Sequence, residues 1–216
     1  MIPRVPTTTL LWGLAVLGAG ALLVFVLLRP EPPPRIQGAD HERLPIAEGV
    51  TGGPIELPLA THGERFRLAD LRGDYVWLYF GYTACPDACP TSLGWISAAL
   101  QRLPEALEDR VSGVMISVDP ERDTRERLES YVGHFHPSIQ GATGSHAELR
   151  PIAERYGVFY QRTDLESAMG YVVDHSSSTY LIGPEGGLLE IHPHGTPAAE
   201  LVEALLNHVG PGSETR

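Results

Sequence analysis

Tyr75–Phe80 reads YVWLYF, six apolar or aromatic residues in a row, the pattern of a strand buried on both faces. Phe66–Leu71 leads into it, and the loop GYTACPD follows. Pro90–Leu107 then places Leu93, Ile96, Leu100 and Leu103 at three- and four-residue intervals, which predicts an amphipathic helix. Val114–Val118 (VMISV) is a second buried strand, ended by Asp119 and Pro120, and Thr124–Phe135 is a polar helix that Asp123 or Thr124 can cap. A short extended piece near Gln140–Ala142, a helix over His146–Tyr156 and a strand over Val158–Gln161 come next. Thr179–Ile182 and Leu188–Ile191 flank PEGG, a hairpin signal. Pro197–Val209 is the last helix, with Gly210 and Pro211 as its stop. Strands alternating with helices predict an α/β fold, a central mixed sheet flanked by helices.

The most apolar stretch lies ahead of this pattern. Leu10–Leu28 is a run of 19 uncharged, mostly apolar residues, about what a helix needs to cross a ~30 Å hydrocarbon core. A cleaved signal peptide is the rival reading, since Ala19, Gly20 and Ala21 resemble a cleavage site. Cleavage there would leave LLVFVLL as a hydrophobic stub, which favours an uncleaved anchor. Arg4 precedes the span while Arg29 and Arg35 follow it, so the positive charges do not set its orientation. The expected organisation is a short segment 1–9, a transmembrane anchor 10–28, a proline-rich linker 29–44, a globular domain 45–211 and a tail 212–216. RPEPPPR within the linker has polyproline character and would hold the domain off a membrane surface.

Composition narrows the functions. Formal net charge is −11, and the 16 basic residues are all arginine and form no basic face, which excludes nucleic acid as a partner. Two cysteines are too few for a disulfide scaffold in a chain of 216 residues, so local chemistry must explain them.

Both cysteines lie in GYTACPDACP, where a central strand ends and a helix begins, the usual place for a site in an open α/β sheet. Cys85 and Cys89, four apart at a helix entrance, project to the same side. The positive end of the helix dipole favours their thiolates. A C-x-x-C here would read as a thiol–disulfide exchange motif. The additional residue lets the sulfurs converge on a third atom as well as on each other. Of nine histidines, His175 stands out, in VVDHSSSTYLI beside Asp174 and just before a strand. Two thiolates and an imidazole suit Cu(I) and also serve Cu(II). Zinc is the other option, with Asp87 or Asp174 supplying an oxygen. A histidine hydrogen-bonded at a strand edge is the purely structural reading of His175. His192 and His194 in IHPHG could form an accessory metal patch but read first as surface and turn residues, and His134 and His136 in GHFHP as complements to a helix C-terminus.

Together the motifs YFGYTACPDACPTSL (Tyr79–Leu93), ISVDPERDT (Ile116–Thr124), YVVDHSSSTYLIGPEG (Tyr171–Gly186) and PHGTP (Pro193–Pro197) resemble the Sco family, also called SenC/PrrC-like. These are membrane-anchored copper proteins that serve cytochrome c oxidase assembly. The resemblance implies a thioredoxin-like fold and a copper site, Cu(I) or Cu(II), made by Cys85, Cys89 and His175. It implies a domain outside the cytoplasm, on the periplasmic side of the inner membrane or in an equivalent compartment. The implied role is a metallochaperone handing copper to the dinuclear centre of an oxidase subunit, with a copper donor protein as a further partner. The alternatives are a thiol–disulfide oxidoreductase that keeps the subunit's cysteines reduced, with Cys85 and Cys89 as its redox pair, or a copper or redox sensor. Family members often carry histidine where this chain has Ala84, which is not one of the three ligands. Asp87 and Asp174 match the family pattern. Asp174 is expected to orient His175 or to support transfer to a partner, and a capping or solvated carboxylate is the competing role for either residue.

Overall fold

The computed structural model describes residues 44–167 and 170–209. The expected segment 1–9, the anchor 10–28, the linker up to residue 43, the Gly210 and Pro211 stop and the tail lie outside the described residues. Among the described residues no helix is long and apolar enough to cross a membrane.

In chain order the strands are β1 (Glu56–Leu57), β2 (Leu59–Ala60), β3 (Phe66–Arg67), β4 (Tyr75–Gly81), β5 (Val111–Ser117), β6 (Ile139–Thr143), β7 (Tyr160–Asp164), β8 (Tyr171–His175), β9 (Thr179–Ile182) and β10 (Leu188–His192). The helices are α1 (Ala88–Leu100), α2 (Arg125–Val132), α3 (His146–Tyr156) and α4 (Ala198–His208). Six strands form one mixed sheet in the order β10-β9-β4-β5-β6-β2. β4, β5 and β6 run parallel, while β9 and β2 pair antiparallel to their neighbours.

Every residue of β4 is buried, as its unbroken apolar run requires when both faces of a strand are covered. Tyr79 and Gly81 face α1, which packs beside α4. Phe80 points the other way, meeting Tyr156 of α3 at 5.6 Å and Tyr180 of β9 at 5.7 Å between ring centres. Burying each such side chain stabilises the fold by about 1.5–3 kcal/mol. The sheet thus carries helices on both faces, with the end of its central strand β4 pointing at the start of α1.

The end of α1 and the strands β7 and β8 depart from the expectation, and the cap of α2 is one of the two residues offered for it. The helix begun near Pro90 stops at Leu100, and Glu105–Arg110 forms a separate 3₁₀ segment. Pro104, which lacks an N–H and restrains the residue before it, explains the break. The strand expected at Val158–Gln161 lies at Tyr160–Asp164, and its partner is Tyr171–His175, so His175 ends a strand of its own. β7 and β8 form a hairpin outside the main sheet. Four of the five β7 side chains are exposed, so no apolar alternation marked this pair in the sequence. At the start of α2 the cap is Thr124, whose hydroxyl accepts from Arg127 N at 3.3 Å. Asp123 is buried elsewhere.

Candidate metal centre

The first sulfur is placed by a turn. Cys85 N donates to Tyr82 O at 3.2 Å, and the chain then enters α1. No side chain caps this helix. Instead the backbone N–H groups of Asp87 and Cys89 point to Cys85 Sγ, so the sulfur occupies the anion position at the helix N-terminus. The Cys85 thiol is pushed down to about 3, first because the Cys89 thiol hydrogen-bonds it, with His175 and these backbone groups adding to the effect against the opposing cost of burial. Cys89 moves the opposite way, raised first by burial, then by its hydrogen bond to Cys85 and by that neighbour's charge. The pair therefore holds one thiolate, on Cys85, beside a protonated Cys89.

Cys89 has no exposed surface, whereas Cys85 is half-buried. The back of the cavity is Gly81. A Cβ there would lie 2.7 Å from Cys89 Sγ and 2.7 Å from the Tyr79 ring, so the sulfur occupies the space a side chain would need. The Tyr79 hydroxyl donates to Cys89 Sγ at 3.7 Å, and burial above all holds that phenol far above its ordinary range, so it stays a neutral donor. Ser92 bonds the Tyr79 oxygen, and Ser92 Oγ lies 3.1 Å from His194 Nδ1. The PHG turn thus closes over α1 one turn past Cys89.

His175 arrives on the hairpin, opposite Tyr160 in the β7–β8 register. Beyond it, Ser176 N donates to Phe159 O at 2.9 Å and Phe159 N to Ser176 Oγ at 3.0 Å, which prolongs the pairing. The His175 Nδ1 lies 2.9 Å from Ser176 O. A carbonyl only accepts, so Nδ1 is the donor to it and Nε2 is the nitrogen turned toward the sulfurs. That Nε2 sits 3.4 Å from Cys89 Sγ. Tyr79 and Tyr82 hold the imidazole edge-on from two directions, at 6.1 and 5.7 Å between ring centres.

The three donor atoms lie within 4.8 Å of one another. Bonds of about 2.0–2.3 Å to one ion at a near-tetrahedral angle put a nitrogen and a sulfur roughly 3.5 Å apart, close to the Cys89–His175 separation. The donor set therefore fits a soft, low-coordinate ion. Among the described residues it is the one such group of three.

The expected supporting carboxylates lie differently. Asp87 is exposed at the N-cap of α1 and reaches the site through its backbone N–H. Asp174, also exposed, accepts from Thr163 Oγ1 at 2.7 Å across the hairpin, and it is the Ser176 carbonyl that orients the His175 ring. Of the other histidines, His134 Nδ1 bonds Ser130 O at the end of α2, and His192, expected at the surface, is instead buried as the last residue of β10, 3.7 Å from Glu190.

Residue-by-residue reading of the sequence missed the second layer of contacts. Asp123 is buried, accepting from Thr83 N at 2.9 Å, Thr83 Oγ1 at 2.5 Å and Ser117 Oγ at 2.6 Å. It ties the loop before Cys85 to the end of β5. The only signal was the DPERDT string itself, which names no partner.

A strand-to-helix cysteine pair completed by a histidine from a separate hairpin, on a mixed α/β sheet, defines a thioredoxin-like protein with a site for a soft metal. The family description SCO1/SenC matches residues 48–210, and the chain belongs to this family, whose members are copper-binding proteins of cytochrome c oxidase assembly. It is 37% identical over 194 residues to an SCO2-like protein of Rickettsia prowazekii, covering 88% of this chain and 91% of that one. It is also 37% identical over 180 residues to the mitochondrial SCO1 homolog 1 of Arabidopsis thaliana, covering 81% of this chain and 53%, about half, of the relative. The crystal structure of Arabidopsis thaliana ScoI with copper bound superposes with a TM-score of 0.67 at 37% identity, covering 72% of this chain and 96% of that one.

Proposed function

We propose that the protein is a membrane-tethered copper metallochaperone that binds one copper ion through Cys85, Cys89 and His175. It passes that ion to the dinuclear copper centre of a cytochrome c oxidase subunit. The observation that carries the reading is the convergence of two sulfurs and an imidazole nitrogen within 4.8 Å. The copper bound to a family member of the same fold supports it. A low-coordinate ion beside the half-buried Cys85 is open to ligand exchange, which delivery requires. Leu10–Leu28 would anchor the chain in the inner membrane, with the domain in the periplasm beside the oxidase.

The test is copper titration of the soluble domain. Wild type is expected to bind one copper per chain, and Cys85→Ala, Cys89→Ala and His175→Ala each to abolish tight binding. Unchanged affinity in the His175 variant would sink the assignment.

The pre-formed Cys85 thiolate favours a second reading, reduction of a disulfide in the same subunit. Cys85 would attack one sulfur of the partner disulfide, expelling a thiolate and forming a mixed disulfide. Cys89 would lose its proton and attack Cys85, releasing the second partner thiolate. The chain would then hold the Cys85–Cys89 disulfide, and the partner would have gained two electrons. That chemistry needs no histidine, so full physiological activity in His175→Ala separates it from copper delivery. Deletion of the gene separates them in the cell, since rescue of oxidase activity by added copper alone favours delivery.

A further inference from the structure

The donors come from two pieces of chain with no shared strand pairing: the sulfurs from the β4–α1 junction, and the nitrogen from the β7–β8 hairpin. The hairpin overhangs a cleft of about 400 Å³ lined in part by His146, Arg150, Phe159 and Tyr171, so it is only partly supported from below. Besides the His175 contacts, its side chains reach the body of the protein at several points. Val173 is buried, and the Tyr82 hydroxyl bonds the Val173 backbone. Tyr160 stacks on His146 of α3.

A further attachment is made by Arg122. Its guanidinium lies 3.6 Å from the centre of the Tyr171 ring on the hairpin and 5.5 Å from that of Tyr82 on the cysteine side. Its Nη1 donates to Tyr171 O at 3.0 Å and its Nε to Asp119 Oδ2 at 2.5 Å. The other oxygen of Asp119, which is fully buried, accepts from the Tyr171 hydroxyl at 2.7 Å. Arg162 covers Tyr171 at 3.9 Å, and Tyr82 meets the His175 ring edge-on at 5.7 Å. A continuous column results: Arg162, Tyr171, Arg122, Tyr82, His175. A guanidinium between aromatic rings, with its charge matched by a buried carboxylate, gains cation–π attraction at reduced solvent screening. A planar fork can stack and hydrogen-bond at once, which an ammonium cannot.

We infer that Arg122, seated on Asp119 between Tyr82 and Tyr171, is the positioning residue that holds the His175 hairpin in register with the cysteine turn. It touches none of the three donors and acts through the two tyrosines. With the column broken, the hairpin keeps its own pairing while His175 leaves the sulfurs, turning a three-donor set into a two-sulfur one.

The experiment starts in the metal-free full-length chain, so that this step is independent of the copper-binding reading. The His175 ring protons, shifted by the two tyrosine rings, are followed by NMR in wild type, Arg122→Ala and Arg122→Lys. The expected result is movement to near random-coil positions in the alanine variant, partial return with lysine, and unchanged methyl shifts in the sheet core. Removing Arg122 alone leaves Asp119 buried with less compensation, so Asp119→Asn/Arg122→Met, which creates no unpaired charge, replaces the alanine variant if that variant does not fold. Wild-type His175 shifts in the folded variant overturn the inference. The copper arm, which rests on the proposed function, reads nitrogen coupling in the EPR spectrum of the Cu(II)-loaded protein. Arg122→Ala is expected to lose the imidazole nitrogen, retain sulfur ligation and bind copper at least about tenfold more weakly. If wild type itself shows no nitrogen coupling, the copper assignment fails while the NMR result still decides the role of Arg122.

Discussion

Cys85 shows how few groups are needed to set the state of a sulfur. The Cys89 thiol, the His175 ring and two helix N–H groups all favour the anion, which holds the thiol down to about 3 against a half-buried setting. A folded-state value below that of the unfolded thiol means the thiolate's contribution to stability is fully present above about pH 8.5 and is lost progressively as pH falls toward the folded value. Alkylation should follow the same titration. The rate of reaction of Cys85 with iodoacetamide is expected to stay flat between about pH 5 and pH 8, where an ordinary thiol slows roughly tenfold per unit. In Cys89→Ala the largest cause is gone, and the rate should acquire pH dependence at a higher value. A wild-type profile that falls like a free peptide thiol would refute a resident thiolate.

Among the elements, local patterns were legible where a short stretch of chain decides its own structure. α3 runs over His146–Tyr156, as its apolar period indicates, because the Ser145 and Glu148 capping box starts it and Gly157, at φ 65°, ends it in a left-handed turn. α1 was misjudged at its far end, since one proline outweighs an apolar period that continues to Leu107. Only the first residues of the β7–β8 hairpin are legible as a strand, because its stabilising partners, Arg122, Tyr82 and Asp119, lie far away in sequence. Asp123 has the same character, a carboxylate whose three donors come from β5 and the cysteine loop rather than from its own helix. Asp123→Asn turns an acceptor-only group into one that must face a donor with a donor. It should cost about 1–3 kcal/mol in urea denaturation, against about 1 kcal/mol for removing the neighbouring cap with Thr124→Ala. Equal losses in the two variants would mean that the buried network is no stronger than one exposed cap.

For the whole molecule, the sheet order, with β4 between β9 and β5, sends the end of a fully buried strand to the metal centre and leaves β2 and β10 at the margins. The cysteine half of the centre could be read from ten residues, because strand end, turn and helix start are contiguous. The histidine half could not be read from position alone, because 86 residues separate Cys89 from His175 and only folding brings Nε2 to the sulfur. The proposed tether belongs to this scale too. The full chain is expected to sediment with membranes and resist extraction by alkaline carbonate, while a chain starting at residue 45 should appear in the soluble fraction. Recovery of the full chain in the soluble fraction would remove the anchor from the proposal.

The unequal burial of the two sulfurs gives the centre a front and a back. Cys89 is walled in by Gly81 and Tyr79 and has no exposed surface, while Cys85 reaches solvent at the helix entrance. An incoming ligand from an acceptor would reach a shared ion from the side of the half-buried Cys85 and His175, away from Cys89. In the proposed delivery the partly exposed donors would then be displaced early and Cys89 would be the last to let go.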